Sequence, residues 1–469
     1  MERQDDFKTI LEMHNANIGR LNSKQLENIV REQYKVYGCF WNKGSSPTLT
    51  RMQDARGAVA NAGVDAVKAY NEFDLTPLFK DFTEVADSYG NVFVRIPKMY
   101  IEKVDASGYK SRQISRKPFT GAYLPECFKN QATGLELDYV DVGKYVATTT
   151  DGTKLESKAN AYPLINKNIV QFRDMAKANN IGAIKGYQIM DIHVMDLLQT
   201  LFLIEFATIN SQSIVAGYTN GQYTDTHLIT VATTNTNTAI VANATAALYA
   251  VGQVISVGST QGGNQRFYGR TITAIGANDS GGAGNAVITF DGVVASLSVN
   301  DRLYNTGMKT GFSSAITTSV GSPTSNSDGK KSFVYHGIES LYGDVWQFVD
   351  GLNINEKQAW VCKNADNYAS NVFAAPYEQL GYVNGNTDGY TTAMGYDANL
   401  PFCELPVAVG GASTTYYSDY YYQTTGQKVA RVGGSWSGGG ADGLFFWSLY
   451  YSSSFAGVDL SSRLLRKAL

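Results

Sequence analysis

Along most of the chain the apolar residues fall in short two-periodic runs cut by Gly, Asn and Asp, the pattern of strands and turns. In NVFVRIPKMYIEKVDASGY (91–109), Val92, Val94 and Ile96 alternate with polar neighbours, and Pro97 suits an edge or a strand end. LELDYVDVGKYVAT (135–148) predicts another strand. The rhythm turns helical in three places. Leu26, Ile29 and Val30 recur at helical spacing, with Asn22 and Gln25 as an N-terminal capping signature. Residues 1–35 therefore read either as a short helix on the body or as an attachment or oligomerisation segment. INKNIVQFRDMAKANN (165–180) and DIHVMDLLQTLFLIEFATINSQSI (191–214) predict two further helices. The second is apolar nearly all round, with Asp191 as N-cap, so it is expected to be buried on most faces. Its lone His193 has no partner for a catalytic triad nearby and reads as structural.

A change of style marks residues 227–306. The segment is rich in Thr, Val, Ala, Asn and Gly, and between 228 and 305 only Arg266, Arg270, Asp279, Asp291, Asp301 and Arg302 are charged. TAIVA, GQVISVG, RTITAI, AVITFDG and DRLYNTG follow one another as β-like runs separated by turn clusters, the pattern of a small all-β module. The chain on either side differs, so the module reads as an insertion. The expected organisation is a helical segment at 1–35, the first part of a body at 36–226, the inserted module at 227–306, and the second part of the body at 307–469.

Composition narrows the function classes. With 469 residues and 43% hydrophobic content the chain can build several cores. Only 17% of residues are charged, while Gly (46), Tyr (30) and Phe (21) are abundant. A net charge of −3 and the lack of a basic stripe argue against a nucleic-acid partner. Cys39, Cys127, Cys362 and Cys403 show no CxxC pairing and no metal-like His spacing, so they read as buried thiols. MERQDDFKTILEMHN is charged and has no apolar core, so no signal peptide is expected and the protein is taken to be made in a cytoplasm. The most apolar run, 194–209, is short and carries Asp196 and Glu205, so membrane insertion is not expected.

Two motifs carry a resemblance. GDVWQFVDG (343–351) resembles the G-N-V-W-E-W turn of the formylglycine-generating-enzyme branch of the C-type lectin fold, and RVGGSWSGG followed by SSRLL (431–465) resembles that branch's closing segment. With SSPTLTRMQDA (45–55), YGNVFVRIPKMYIEK (89–103) and QAWVCKNADNYASNVF (358–373), the chain looks similar to phage and prophage receptor-binding proteins, including the variable proteins of diversity-generating retroelements. The resemblance implies an α+β fold: a C-type lectin-type domain of short strands and two helices, carrying the inserted β module and the N-terminal helical segment. It also implies a homotrimer at a phage tail tip, in contact with other tail proteins and with a host surface receptor, protein or glycan. The enzyme branch binds copper through a cysteine pair in the closing segment. Residues 431–469 hold no cysteine, so the soft ligands of copper(I) are missing and no catalytic role is expected. No cofactor belongs to the main reading. Some relatives bind calcium, for which Asp344, Asp350 and Glu339 are the available oxygen donors.

The segment 431–465 lacks Lys, Glu, Gln, Met and His. Trp436, Leu444, Phe446, Trp447, Leu449, Val458 and Leu460 make a credible core set. The remaining residues are expected to face outwards: Ser435, Ser437, Gly438, Asp442, Ser448, Tyr450, Tyr451, Phe455, Gly457 and Asp459 form the expected receptor-binding set. Tyr, Ser, Gly and an acid are the vocabulary of antibody-type paratopes. Five of the seven residues 416–422 are tyrosine, and this run is expected to be scaffold beside the site. In the retroelement systems that the chain resembles, Asn codons are scrambled at adenines, which cannot yield Lys, Glu, Gln, Met or Trp. Each outward residue belongs to the reachable set, so 431–465 is expected to be the diversified segment. The function expected is non-catalytic host adhesion from the virion. A passive structural tail protein, or an oxidase or glycan-degrading enzyme of the same fold, are the alternatives.

Overall fold

The computed structural model describes residues 30–44, 48–64, 67–182, 185–277, 282–324, 327–381 and 388–467. Of the expected helical segment 1–35, residues 1–29 lie outside this set, and 30–33 are helical. Strand accounts for 41% of the chain and helix for 12%, divided among several sheets that include a half-barrel. The expected α+β class, a C-type lectin-type domain with two helices, is therefore corrected to a mostly-β architecture. Outside 165–214 most apolar runs of the described residues are short, two-periodic and rich in aromatic and β-branched residues, and these pair as strands.

Two helices longer than one turn serve these sheets among the described residues. Helix α1, Ile169–Lys177, starts from a capping box between Asn168 and Gln171 and buries Ile169, Phe172 and Met175. Helix α2, Ile192–Phe206, is buried at every position. The Asp191 carboxylate accepts the Val194 amide at 2.9 Å, and Ala207 ends the helix in the left-handed region at φ 50°. His193 donates to or accepts from no other side chain; its Nε2 lies 3.0 Å from the Cys362 carbonyl and its ring packs on Phe402. All four cysteines are buried and unpaired.

The largest sheet runs Tyr377–Gln379, Gln358–Cys362, Trp346–Asn355, Gln427–Gly433, Gly443–Leu449, Tyr420–Gln423, Gly389–Asp397, Leu400–Val409, with Leu460–Ser461 parallel to the start of Trp346–Asn355. A five-stranded sheet places Leu464–Lys467 between Tyr139–Gly143 and Tyr187–Ile189. The segment after the inserted module is thus threaded into a sheet made by the segment before it. Arg463 fixes that junction. It is fully buried, and its five N–H groups reach the Gln347 side chain (3.0 Å) and the carbonyls of Gly143, Lys144, Glu339 and Ser340 (2.6–3.2 Å).

A buried charge network ties α2 to two sheets. Lys103 pairs with Asp196 of α2, and its Nζ lies 3.5 Å from Glu404. Glu404 also receives Arg112 at 2.5 Å and stands 3.9 Å from Lys110, which pairs with Asp105 at 2.7 Å. Burial alone would raise the Glu404 carboxyl, but Arg112, Lys103 and Lys110 outweigh it and hold the group down to about 2.

Strands between Ile229 and Asn305 pair only with one another and enclose their own core, which includes Ile255, Val257, Ile288 and Leu303. The six-stranded sheet closes on itself. Its first and last strands meet through the Ile229 amide on the Asp301 carbonyl (2.8 Å), the Leu303 amide on the His227 carbonyl (2.8 Å) and a Leu228–Arg302 bridge. Closure removes the exposed edges that an open sheet of this size would present. Tyr223 joins the module to the body, edge-on to Tyr304 on one side and to Trp436 on the other.

Candidate functional site

The glycines of GGSWSGGGADG make room for buried acids. Gly433 and Gly434 have φ of 97° and 81°, which turns the chain sharply out of the strand Gln427–Gly433. A side chain at Gly434 or Gly438 would collide with the Asp442 carboxyl, and one at Gly443 with that of Asp419. Asp442 and Asp419 are both fully buried. Asp419 accepts the Phe445 amide at 2.7 Å through one oxygen, and its other oxygen has no hydrogen-bond partner. The Ser435 and Gly438 amides approach the Asp442 carboxyl and partly offset its burial, but neither oxygen closes a hydrogen bond of normal geometry. Burial, and then the nearby Asp419, push the Asp442 carboxyl well above the usual range; burial does the same to Asp419.

Above Asp442 lies a cavity of about 490 Å³. Ser435, Asp442, Ser448, Phe446 and Trp346 line its inner side, and Asp388, Tyr422, Tyr450 and Tyr451 line the more exposed one. Arg431 reaches it from the neighbouring strand, where it lies opposite both Phe348 and Ser448. Its guanidinium sits 4.1 Å from the Trp346 ring centre and 4.4 Å from that of Tyr451, with Phe455 stacked on Tyr451 at 3.7 Å. Burial lowers the Arg431 pKa, and Asp459 opposes this as its electrostatic partner. Three side chains at least nine-tenths buried keep polar atoms without a partner here: both Asp442 oxygens, Ser448 Oγ and Arg431 Nε. A buried polar atom left unpaired costs about 1–3 kcal/mol; such atoms also occur elsewhere in the protein, and what sets these apart is that they line one open cavity.

Of the expected set, the cavity gathers Ser435, Gly438, Asp442, Ser448, Tyr450 and Tyr451. Phe455 stands behind Tyr451 and supports it. Ser437 is exposed on the adjoining turn, Gly457 accepts the Asn166 amide at 3.0 Å, and Asp459 serves Arg431. The outward orientation expected for Ser435, Asp442 and Ser448 is corrected: they are 5%, 0% and 1% exposed and reach a partner only through the cavity. The expected core set is buried at Trp436, Leu444, Phe446, Trp447, Leu449 and Leu460 and half-buried at Val458. Arg431, Trp346, Asp388 and Ala441 also line it and were not expected as site residues, and Tyr422, expected as scaffold, lines it too. For Tyr422 a signal existed. Strand alternation puts Tyr421 inwards and Tyr420 and Tyr422 on the opposite face, where Tyr422 packs on Phe446 at 5.5 Å.

The acids considered for calcium are engaged separately. Glu339 accepts the Gly311 and Ser313 amides, Asp344 accepts the Met308 amide, and Asp350 forms a two-bond fork with Arg173. Among the described residues no group of three or more His, Cys, Asp or Glu side chains is placed to hold a metal ion, and no helix is long and apolar enough to cross a membrane. No known family profile matches the chain, and no curated protein matches it in sequence.

Proposed function

We propose that this protein is a non-catalytic receptor-binding protein of a phage tail tip, and that the cavity framed by Tyr422, Tyr450, Tyr451 and Asp442 is its receptor site. The observation that carries the reading is the convergence of unpartnered polar atoms of Asp442, Ser448 and Arg431 on one cavity walled by partly exposed tyrosines. Such a site offers rigid aromatic area at low entropic cost, with buried polar groups that discriminate between ligands. In this reading several copies on one particle, a trimer being the form its resemblances imply, multiply a modest contact into firm adhesion to the host. The segment 431–465 is the diversified part, with Trp436 and Trp447 as fixed positions under Ser, Tyr, Phe and Asp that exchange.

The test replaces Tyr450, Tyr451 and Phe455 together by alanine and measures adsorption to host cells. The expected result is a loss of at least about tenfold, since one or more buried aromatic anchors contribute upwards of 1 kcal/mol each. Unchanged adsorption by a folded variant would overturn the site. Release of sugars from host envelope incubated with the wild type would overturn the non-catalytic reading.

A further inference from the structure

The charges around the cavity do not balance. Asp442 at the floor and Asp388 at the rim face a single cation, Arg431, among the described lining residues. Arg431 is already committed: Asp459 is its electrostatic partner, and its two faces are taken by Trp346 and Tyr451. No lysine, arginine or histidine among the described residues lies within ion-pair distance of Asp442. Backbone amides of Ser435 and Gly438 approach Asp442, but among the described residues no side chain donates to its oxygens or to Ser448 Oγ, at the bottom of a cavity large enough for a side chain or a sugar ring.

We propose that the cavity binds a primary ammonium group, with Asp442 as its counter-ion and Ser448 Oγ as a second acceptor. This rests on the cavity being a binding site, and adds the chemistry of the group that enters it. An ammonium carries three donors on one atom, which suits acceptors clustered at a floor. Tyr422 and Tyr450 add aromatic rings to the lining, while the faces of Tyr451 are taken by Arg431 and Phe455. Burial holds the Asp442 carboxyl towards its neutral form, and a cation brought to it shifts the balance to the carboxylate. The ammonium has two natural sources, a lysine side chain or an amino sugar.

The experiment titrates the intact protein, by saturation-transfer NMR and calorimetry, with Nα-acetyl-lysine methylamide and with glucosamine. Their N-acetylated counterparts, Nα,Nε-diacetyl-lysine methylamide and N-acetylglucosamine, are the neutral controls. One amine is expected to bind at least about tenfold better than its acetylated form, because acetylation removes the charge that Asp442 answers. Whichever amine does so identifies the source. Asp442→Asn is expected to abolish the preference, and Ser448→Ala to weaken it several-fold. If Asp442→Asn does not fold, Ser448→Ala and the acetylated pairs decide. Equal binding of the charged and neutral members of both pairs, or an intact preference in folded Asp442→Asn, overturns the proposal. So does the absence of any amine binding by protein that still adsorbs to host cells through Tyr450, Tyr451 and Phe455, an outcome that leaves the receptor site standing.

Discussion

The buried charges around Glu404 and those around Asp442 are built on opposite terms. Around Glu404 the carboxylates and cations answer one another: Arg112, Lys103 and Lys110 surround one acid, Lys103 also serves Asp196, and Lys110 serves Asp105. Around Asp442 the acids stand beside glycines, with Asp419 as a like-charged neighbour and, among the described residues, no cation within ion-pair distance. The first arrangement holds strands and α2 in one relative position. The second leaves buried acids without a cation, an arrangement that costs stability and that the proposed ammonium would answer.

The largest expected effect breaks the first cluster. Glu404→Gln leaves Arg112, Lys103 and Lys110 short of their shared carboxylate and should lower unfolding free energy by ~3–5 kcal/mol, as removal of one member of a buried pair does. Denaturant titration at neutral pH measures it, and a loss below ~1 kcal/mol would erase the contrast between the clusters. The pH dependence has a definite sign. The folded carboxyl titrates at about 2, below its unfolded range near ~4.5. Its contribution is fully present above the unfolded value and is lost as pH falls towards about 2, so wild type and Glu404→Gln should converge in acid.

The second cluster should respond in the opposite direction. Asp419→Asn keeps an oxygen for the Phe445 amide and removes a buried charge without a partner. It should stabilise the protein by ~1–2 kcal/mol at pH ~8. The folded carboxyl titrates above its unfolded value, so the penalty is absent in acid and grows as pH rises through that value. Thermal unfolding at both ends of the pH range checks this, and an equal effect in acid would mean that packing, not charge, is responsible. The smallest effect on folding sharpens the comparison most. Tyr422→Ala, at a ring 36% exposed, should change stability by less than ~1 kcal/mol while reducing host adsorption several-fold. Loss of stability without loss of adsorption would return the tyrosine run to a scaffold role.

How far the sequence could be read depended on whether a residue's role is local. The buried helix at 191–214 and its Asp191 cap follow from periodicity and capping; the cap stands, and α2 ends at Phe206, short of the expected 214. Thr- and Val-rich runs at 227–306 pair among themselves. Tyr450 and Tyr451 were legible because large rings among serines and glycines in an apolar segment have few places to go. Arg431 was not: its role arises from Trp346, 85 positions earlier, and from Tyr451, both brought beside it by strand pairing. Nor could sequence show that Ser435, Asp442 and Ser448 are buried. A small polar residue reads as outward by composition, and only the glycines around Asp442 hinted at a carboxyl needing space within the fold. The fold class was misjudged because two motif likenesses implied a complete α+β domain, whereas the short two-periodic runs along the rest of the chain favour sheets.

Closure of the 229–305 barrel has a genetic consequence. Where the chain enters and leaves, at His227 and Leu303, backbone hydrogen bonds hold the two passes one strand spacing apart. To the body, the whole insert is therefore equivalent to a short surface loop, whatever its length. Recombination at its borders could delete it, or exchange it for another closed barrel, without shifting the register of the strands that frame the cavity. One part of the gene can then be replaced wholesale while the strands around the cavity keep their pairing, so a large change of surface leaves the framing of the site intact.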